Sequence, residues 1–425
     1  MFITPRSTLE RLVAPYRGLG RSLWSMFLAT MINRFGDFVG VFLALYLTKR
    51  LGFDATRAGI FVAVAMGASA LGTFFSGRVA DKLGRKNCLV ACHAGAAAFD
   101  MAMSFLCGFP WAPILVVAGS FFRGGARPLI SALIADLAPS ERRKEAFCLQ
   151  YWSINVGVAL GPMVAAFLFE RALPWLFRCD AICTLVALLL IARGVRSPRS
   201  AAVSSPLERI DERGAFRAFA ARPILLCYCI LALASSLTYA QTNFSLPLKI
   251  TASMGEGGSG FFGALISLNA ITVLALSIPI ARLFRSKSPL SCMAVSGLFY
   301  VVGFGLLAPS LDGSAFWGRA AFVVSTFVWT LGEIVNAVNM GIFVAKHSPE
   351  NWRGSFQSFT TVFFQMGAAL GPLVAGPVIV GLGQSALWIA TSALCALWGI
   401  GALFLDRWDR RLSIVRSSAP YEGAQ

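Results

Sequence analysis

The ten residues from Gly77 to Lys86 read GRVADKLGRK and lie between two long apolar segments. Four cations, Arg78, Lys82, Arg85 and Lys86, surround a single acid, Asp81. Glycines at 77 and 84 permit a close helix end and a tight reversal. If the flanking segments cross a bilayer, a connection this basic stays on the cytoplasmic side. The rest of the chain decides whether they do.

Of 425 residues, 57% are hydrophobic and 13% charged, and Phe outnumbers Tyr by 35 to 7. A soluble protein of this size could not hide that much apolar surface, whereas one that faces lipid need not. Twelve apolar runs of roughly 20 residues recur, each able to cross ~30 Å of hydrocarbon. The expected spans are Leu23–Leu47, Gly59–Val79, Cys88–Cys107, Trp111–Leu137, Phe147–Glu170 and Pro174–Ala192. After a polar stretch come Pro223–Ile250, Gly260–Phe284, Pro289–Ala308, Ala315–Ala345, Gly354–Val380 and Ala386–Leu405. The fold class is therefore all-α and integral to a membrane, with no room for a sizeable soluble domain.

A formal charge of +17 raises the question of nucleic acid. By these spans, 27 of the 37 Lys and Arg residues fall in the seven segments on one side and seven on the other. That split is the positive-inside bias, with both termini cytoplasmic. The basicity reflects topology, and no nucleic-acid partner is expected. The ten cysteines lie mostly within spans, without the ligand set of a metal site, and read as small buried hydrophobes. No metal and no cofactor is expected. The N-terminus has no small-residue cleavage site and reads as retained.

An internal repeat sets the expected architecture. Ala135, Pro139, Arg143, Gly157, Gly161, Pro162 and Ala165 recur 210 positions later as Ala345, Pro349, Arg353, Gly367, Gly371, Pro372 and Ala375. Earlier in each half the offset is 201, matching Leu45, Gly59, Phe61 and Lys86 to Leu246, Gly260, Phe262 and Lys287. Residues 1–193 and 223–425 are thus expected to form two six-helix bundles, joined by a cytoplasmic loop at 194–222. Each half has an even number of spans, so a pseudo-twofold axis along the membrane normal should relate them. Within residues 77–86, the order Gly-x-x-x-Asp-Lys-x-Gly-Arg-Lys resembles the loop motif between helices 2 and 3 of the major facilitator superfamily. The resemblance covers nearly the whole chain. It implies a twelve-span secondary transporter of the drug/proton antiporter type, binding its cargo near mid-membrane between the halves.

Ionisable residues inside spans are costly and mark functional sites, at ~2.5 kcal/mol or more each. Span 1 holds Asn33, Arg34 and Asp37, span 4 Arg123 and Arg127, and span 10 Glu333. At ~1.5 Å per residue, Asp37 and Arg123 lie ~21 Å, and Glu333 ~18 Å, from the cytoplasmic ends of their spans. Arg123 and Arg127 are one turn apart and need an acid, for which Asp37 is the best candidate. Alternatively Asp37 simply pairs along its own helix with Arg34. The family resemblance implicates a span-4 arginine in proton transfer. Here that stretch reads Arg123-Gly-Gly-Ala-Arg127-Pro, which departs from the usual form. Asp37, Arg123, Glu333 and Arg34 are the expected coupling residues.

Gly157-x-x-x-Gly161-Pro162 in span 5 lets helices approach closely and should bend the helix at the proline. It resembles the fifth-helix motif associated with exporters that exchange substrate for protons. Its copy, Gly367, Gly371 and Pro372, makes it partly architectural. Polar and aromatic residues at helical spacing read either as interhelical glue or as cavity lining: Asn33, Arg127, Tyr151, Asn155, Tyr239, Gln241, Asn243, Trp329, Asn336 and Gln365. Such a cavity suits amphipathic or cationic organic molecules better than sugars.

The stretch 77–86 also suggests a latch made of Gly77, Asp81, Gly84, Arg85 and Asp136. Arg85 would meet Asp136 at the end of span 4, and Asp81 would face the start of span 11 near Gly354 and Ser355, where a helix dipole favours an anion. At offset 201 the second half has Ile278, Arg282, Arg285 and Ser286, so it lacks the acid and both glycines. The expected partners are a small-molecule substrate, protons and the lipid bilayer, and the expected state is a monomer in the cell membrane. A proton entering through ~100 mV yields ~2.3 kcal/mol, and a pH unit adds about 1.4. One proton would sustain a roughly several-hundred-fold substrate gradient. An uptake symporter on the same fold is the nearest alternative. A membrane-embedded enzyme or a transporter-like sensor is a more distant one, since neither His93 nor His347 sits in a recognisable catalytic motif.

Overall fold

The computed structural model describes residues 18–196, 212–255, 257–309, 313, 315–349 and 353–418. At some of these, including Asp81, Met340, Gly354 and Ser355, it describes the backbone alone. The described residues are helical with short connections, and helix covers each of the twelve expected spans. Eight helical stretches are long and apolar enough to cross a membrane, and the longest of them, Phe356–Arg411, takes in two expected spans. Among the described residues, the helices of spans 3, 4 and 9 fall outside those eight: spans 3 and 4 carry Asp100, Arg123 and Arg127 in their interiors, and span 9 is short, at Pro289–Gly305.

Span 1 differs from the continuous helix expected. It consists of Arg21–Phe35 and Phe38–Leu45, then a wider π-helical turn at Tyr46–Arg50. The break falls at Gly36 and Asp37, where Asp37 has φ −74° and ψ 59°. Gly36 is required there because an added Cβ would collide with Cys183 of span 6. Span 7 is interrupted as well: Pro223–Tyr239, a tighter turn at Ala240–Thr242, then Ser245–Met254.

Span 2 is the helix Ala55–Leu83 and span 3 is Arg85–Met103, so Gly77 to Leu83 are helical rather than looped. The reversal is confined to Gly84, whose φ of +82° is a left-handed conformation open to glycine. Spans 4, 5 and 6 are Trp111–Leu137, Arg143–Arg171 and Leu173–Gly194. Spans 8, 9 and 10 are Gly258–Leu283, Pro289–Gly305 and Phe316–His347. Spans 11 and 12 form Arg353–Ser418, broken at Gly383 with φ +84°. A short helix, Glu212–Ala220, precedes span 7.

The described chain divides into two compact units. The first comprises residues 18–52, 61–196 and 259–274, and the second 53–60, 212–255, 257–258 and 275–418. The first ends of spans 2 and 8 therefore belong with the unit of the other sequence half. In the first unit, a Cβ at Gly263 would meet the Pro162 carbonyl oxygen at 2.6 Å. In the second, Gly59 and Gly376 stand where added Cβ atoms would collide with the carbonyls of Pro372 and Ala55.

Large apolar side chains such as Leu71, Phe74, Ile114, Phe167, Leu397 and Phe404 are exposed, as expected of a surface solvated by lipid. In lipid the hydrophobic drive between helices is weak, so close packing of small residues holds the bundles. Gly157 and Gly161 of span 5 press on the backbone of span 1 at Met31 and Phe35, just before its break. Gly367 and Gly371 press on span 7 at Leu233 and Leu237, just before its own. Both copies therefore seat the helix that is interrupted. The helices continue through Pro162 and Pro372.

Candidate functional site

Three spans of the first unit bring charge together in its interior. Arg123 of span 4 donates from Nη2 to Asp100 Oδ1 of span 3 and lies 3.9 Å from Asp180 Oδ2 of span 6. The carboxylates are 1% and 3% exposed, the guanidinium 23%. Asp180 Oδ2 also accepts from the backbone N–H of Val39 at 3.1 Å. Val39 lies in the first turn after the break in span 1, where backbone donors have no intrahelical partner. Asp100 Oδ2 is buried with no hydrogen-bond partner among the described residues.

This corrects the expectation that Asp37 is the acid held against Arg123. Asp37 Oδ2 instead pairs with Arg34 Nη1 at 3.0 Å, three residues back along the same span. Arg123 is instead held by the more fully buried acids of spans 3 and 6. Asp100 and Asp180 were legible as acids inside apolar runs, but neither sits in a motif, and depth counted along spans 1, 4 and 10 passes over spans 3 and 6. No hydrogen bond or ion pair holds Arg127 among the described residues, and its side chain is exposed. The glycines that set Arg123-Gly-Gly-Ala-Arg127 apart have a packing cause. A Cβ at Gly124 would collide with the Ser69 carbonyl of span 2, and Thr73 Oγ1 donates to the Gly124 carbonyl at 2.9 Å. Asn33 Nδ2 donates to Thr184 Oγ1 of span 6 at 3.1 Å, which makes it glue within the bundle.

The second unit holds a different arrangement. Tyr239 Oη of span 7 donates to Glu333 Oε1 of span 10 at 2.9 Å. The Tyr239 ring meets Trp329 edge-on, with centroids 6.3 Å apart. Three residues expected to line a cavity are instead buried. Trp329 is 1% exposed and packs against Gly303 of span 9. Gln241 donates from Nε2 to the Gly371 carbonyl of span 11 at 3.2 Å and accepts from Ser245 Oγ at 2.6 Å. Asn336 Nδ2 donates to Ser235 Oγ at 3.2 Å. The two amides are held by hydrogen bonds because an unmade one inside a bundle is costly, whereas the Trp329 indole is held by packing, its Nε1 having no partner among the described residues. Asn243 and Tyr151 are exposed, Gln365 is half-buried, and Asn155 donates to the Tyr151 carbonyl on its own helix at 2.8 Å.

Around the stretch 77–86, Arg85 Nη1 lies 2.5 Å from Asp136 Oδ1, and Lys86 Nζ donates to the Ala192 carbonyl at 2.8 Å. Gly77 and Arg78 are exposed, with the Arg78 guanidinium over the Phe74 ring. The expected approach of Asp81 to Gly354 and Ser355 lies outside the described side chains. All ten cysteines are free, and among the described residues no three His, Cys, Asp or Glu side chains group as metal ligands.

Broken helices packed at glycines enclose buried charge inside an apolar helical bundle. The sequence profile of the Major Facilitator Superfamily matches residues 26–372, and the chain belongs to that family. It is 26% identical over 372 residues to the quinolone resistance protein NorA of Staphylococcus aureus, covering 81% of this chain and 87% of that one. It is 25% identical over 404 residues to a Na(+), Li(+), K(+)/H(+) antiporter of Planococcus maritimus, covering 87% and 92%. Among solved structures, the nucleoside transporter NupG superposes with a TM-score of 0.73 at 15% identity, covering 91% of this chain and 99% of that one.

Proposed function

We propose that the protein is a proton-coupled exporter of small amphipathic or cationic organic molecules, working by alternating access in the cell membrane with both termini cytoplasmic. The observation that carries this reading is Glu333, a carboxylate within a span, held by the hydroxyl of the half-buried Tyr239. An acid beside an aromatic face recognises an organic cation by charge and by cation–π attraction. NorA and the cation/proton antiporter, whose names denote drug resistance and proton exchange, support the same reading. The halves 1–193 and 223–425 are the bodies that alternate, with 194–222 as their tether and Asp81, Arg85 and Asp136 as the cytoplasmic latch. Asp37, Arg34, Arg123 and Glu333 are placed in proton coupling, and the working unit is a monomer.

The test uses everted membrane vesicles with an acidified lumen and ethidium as the probe cation. Ethidium should accumulate as the lumen loses acid, and cells lacking the protein should retain more ethidium. Ethidium uptake without any alkalinisation, or lower retention in the deleted cells, defeats this reading.

A further inference from the structure

We infer that Asp100 and Asp180 share one proton at neutral pH, and that this pair around Arg123 is where the transported proton rests; the transport part of this rests on the exporter reading above.

Two carboxylates and one guanidinium, drawn from spans 3, 6 and 4, leave a net charge of −1 in an apolar interior when all three are ionised. The carboxylates are 1% and 3% exposed, so water does not offset that charge. An uncompensated buried charge is strongly unfavourable, and a single proton removes it. Two carboxylates set around one cation titrate as a pair, and the first proton belongs to both. The hydrogen bonding leaves a place for it. Asp100 Oδ1 is taken by Arg123, and Asp180 Oδ2 by the Val39 N–H. Asp100 Oδ2 has no partner among the described residues, so that oxygen is open to a proton.

The surroundings do not supply the missing charge. Span 1 presents Arg34 and Asp37, already paired with each other at 3.0 Å. Span 4 adds Arg127, one turn beyond Arg123; its exposed side chain interacts electrostatically with Arg34, Asp37 and Arg123, and the cation that acts on the two acids is Arg123. Span 3 adds His93, whose buried Nδ1 has no partner among the described residues. Span 6 adds the thiols of Cys179 and Cys183 beside Asp180. An alkali cation is a poorer occupant than a proton, because the Arg123 guanidinium stands between the two carboxylates.

The same geometry ties the proton to movement of the chain. Val39 lies in the first turn of the second helix of span 1, and its N–H holds Asp180 only while Asp180 Oδ2 can accept. Arg123 is the one member of the cluster with appreciable exposure, so a shift of its guanidinium admits or expels the proton. Arg123 held between both acids favours proton release, and Arg123 drawn to one of them favours uptake by the other. No covalent bond changes beyond the carboxyl O–H.

The test needs no substrate. Infrared difference spectra of the purified full-length protein at neutral pH read the C=O stretch of protonated carboxyls and its shift in heavy water. Wild type should show this band. D100N and D180N should each lose the intensity of one carboxyl, since either leaves one acid with one cation. R123Q should gain the intensity of one carboxyl, since both acids then need protons. D54N, which removes an acid paired with Arg57, should leave the band unchanged. A band absent from wild type, retained in both D100N and D180N, or lost in D54N overturns the inference. Because D100N and D180N each keep a neutral ion pair, one serves as the check if the other does not fold. A protein that passes this test yet moves ethidium without protons defeats the exporter reading and leaves the proton site standing.

Discussion

At equivalent places in the repeat, 210 positions apart, span 4 carries Arg123 and span 10 carries Glu333. The first unit surrounds its cation with acids from two further spans, whereas the second holds its acid through a tyrosine hydroxyl. The partners are not repeated: Asp100 falls on Val301 at offset 201, and Asp180 on Ala390 at offset 210. Arg34 and Asp37, an ion pair, fall on Ser235 and Thr238, and Ser235 accepts a neutral hydrogen bond from Asn336. At these equivalent places, one backbone plan thus carries ions in the first half and, Glu333 apart, neutral hydrogen bonds in the second. Ions respond to a proton by changing charge, while hydroxyls and amides hold their partners at any physiological pH. On the readings proposed above, the first half would rest the proton at Asp100 and Asp180, while Glu333 of the second half would meet the cation and take part in coupling.

Breaking the ion cluster should have the largest effect. Arg123→Met removes the cation between two buried acids and should cost about 3–5 kcal/mol of stability, read as a lower melting temperature of the purified protein, together with lost transport. A melting temperature equal to wild type would mean that the cluster is solvated in the folded protein. The shared glycine motif tests the part of the plan that both halves keep. Gly157→Ala and Gly367→Ala each drive a methyl into a neighbouring backbone, at Met31 and Leu233, and should each cost about 1–3 kcal/mol. Unequal costs would show that only one half relies on the motif. Glu333→Gln keeps an oxygen for Tyr239 but removes the charge, so the preference for ethidium over a neutral analogue should fall about tenfold, equivalent to 1.4 kcal/mol. An unchanged preference would move cation recognition elsewhere. Arg85→Ala should have the smallest effect, about 0.2–1 kcal/mol, because its pair with Asp136 is partly exposed. A larger loss of transport than of melting temperature would assign the pair to gating.

Much of this molecule was legible from residue order. The basic ends, the apolar runs and the offsets of 201 and 210 outline a repeated membrane bundle, and Arg85 and Asp136 do meet. The site was legible only in part. Arg123 and Glu333 stand out as charges inside spans, and Tyr239 sits at the right spacing. Matching depths draw Asp37 towards Arg123, yet depth along a helix says nothing of which face looks at which neighbour. Trp329, Gln241 and Asn336 have the composition of cavity lining, and only their neighbours reveal them as glue.

The stretch from Gly77 to Lys86 marks the same boundary between sequence and structure. Its four cations carry the expectation of a cytoplasmic connection, because basic segments are biased towards that side. That the helix runs to Leu83 and turns on Gly84 alone was decided by the backbone. In the same way, the sequence reading set Arg123 inside a span and passed over Asp100 and Asp180, although both lie in apolar runs. Only packing of spans 3, 4 and 6 brought them together, because the energy of a buried charge depends on distances between helices that no single segment encodes.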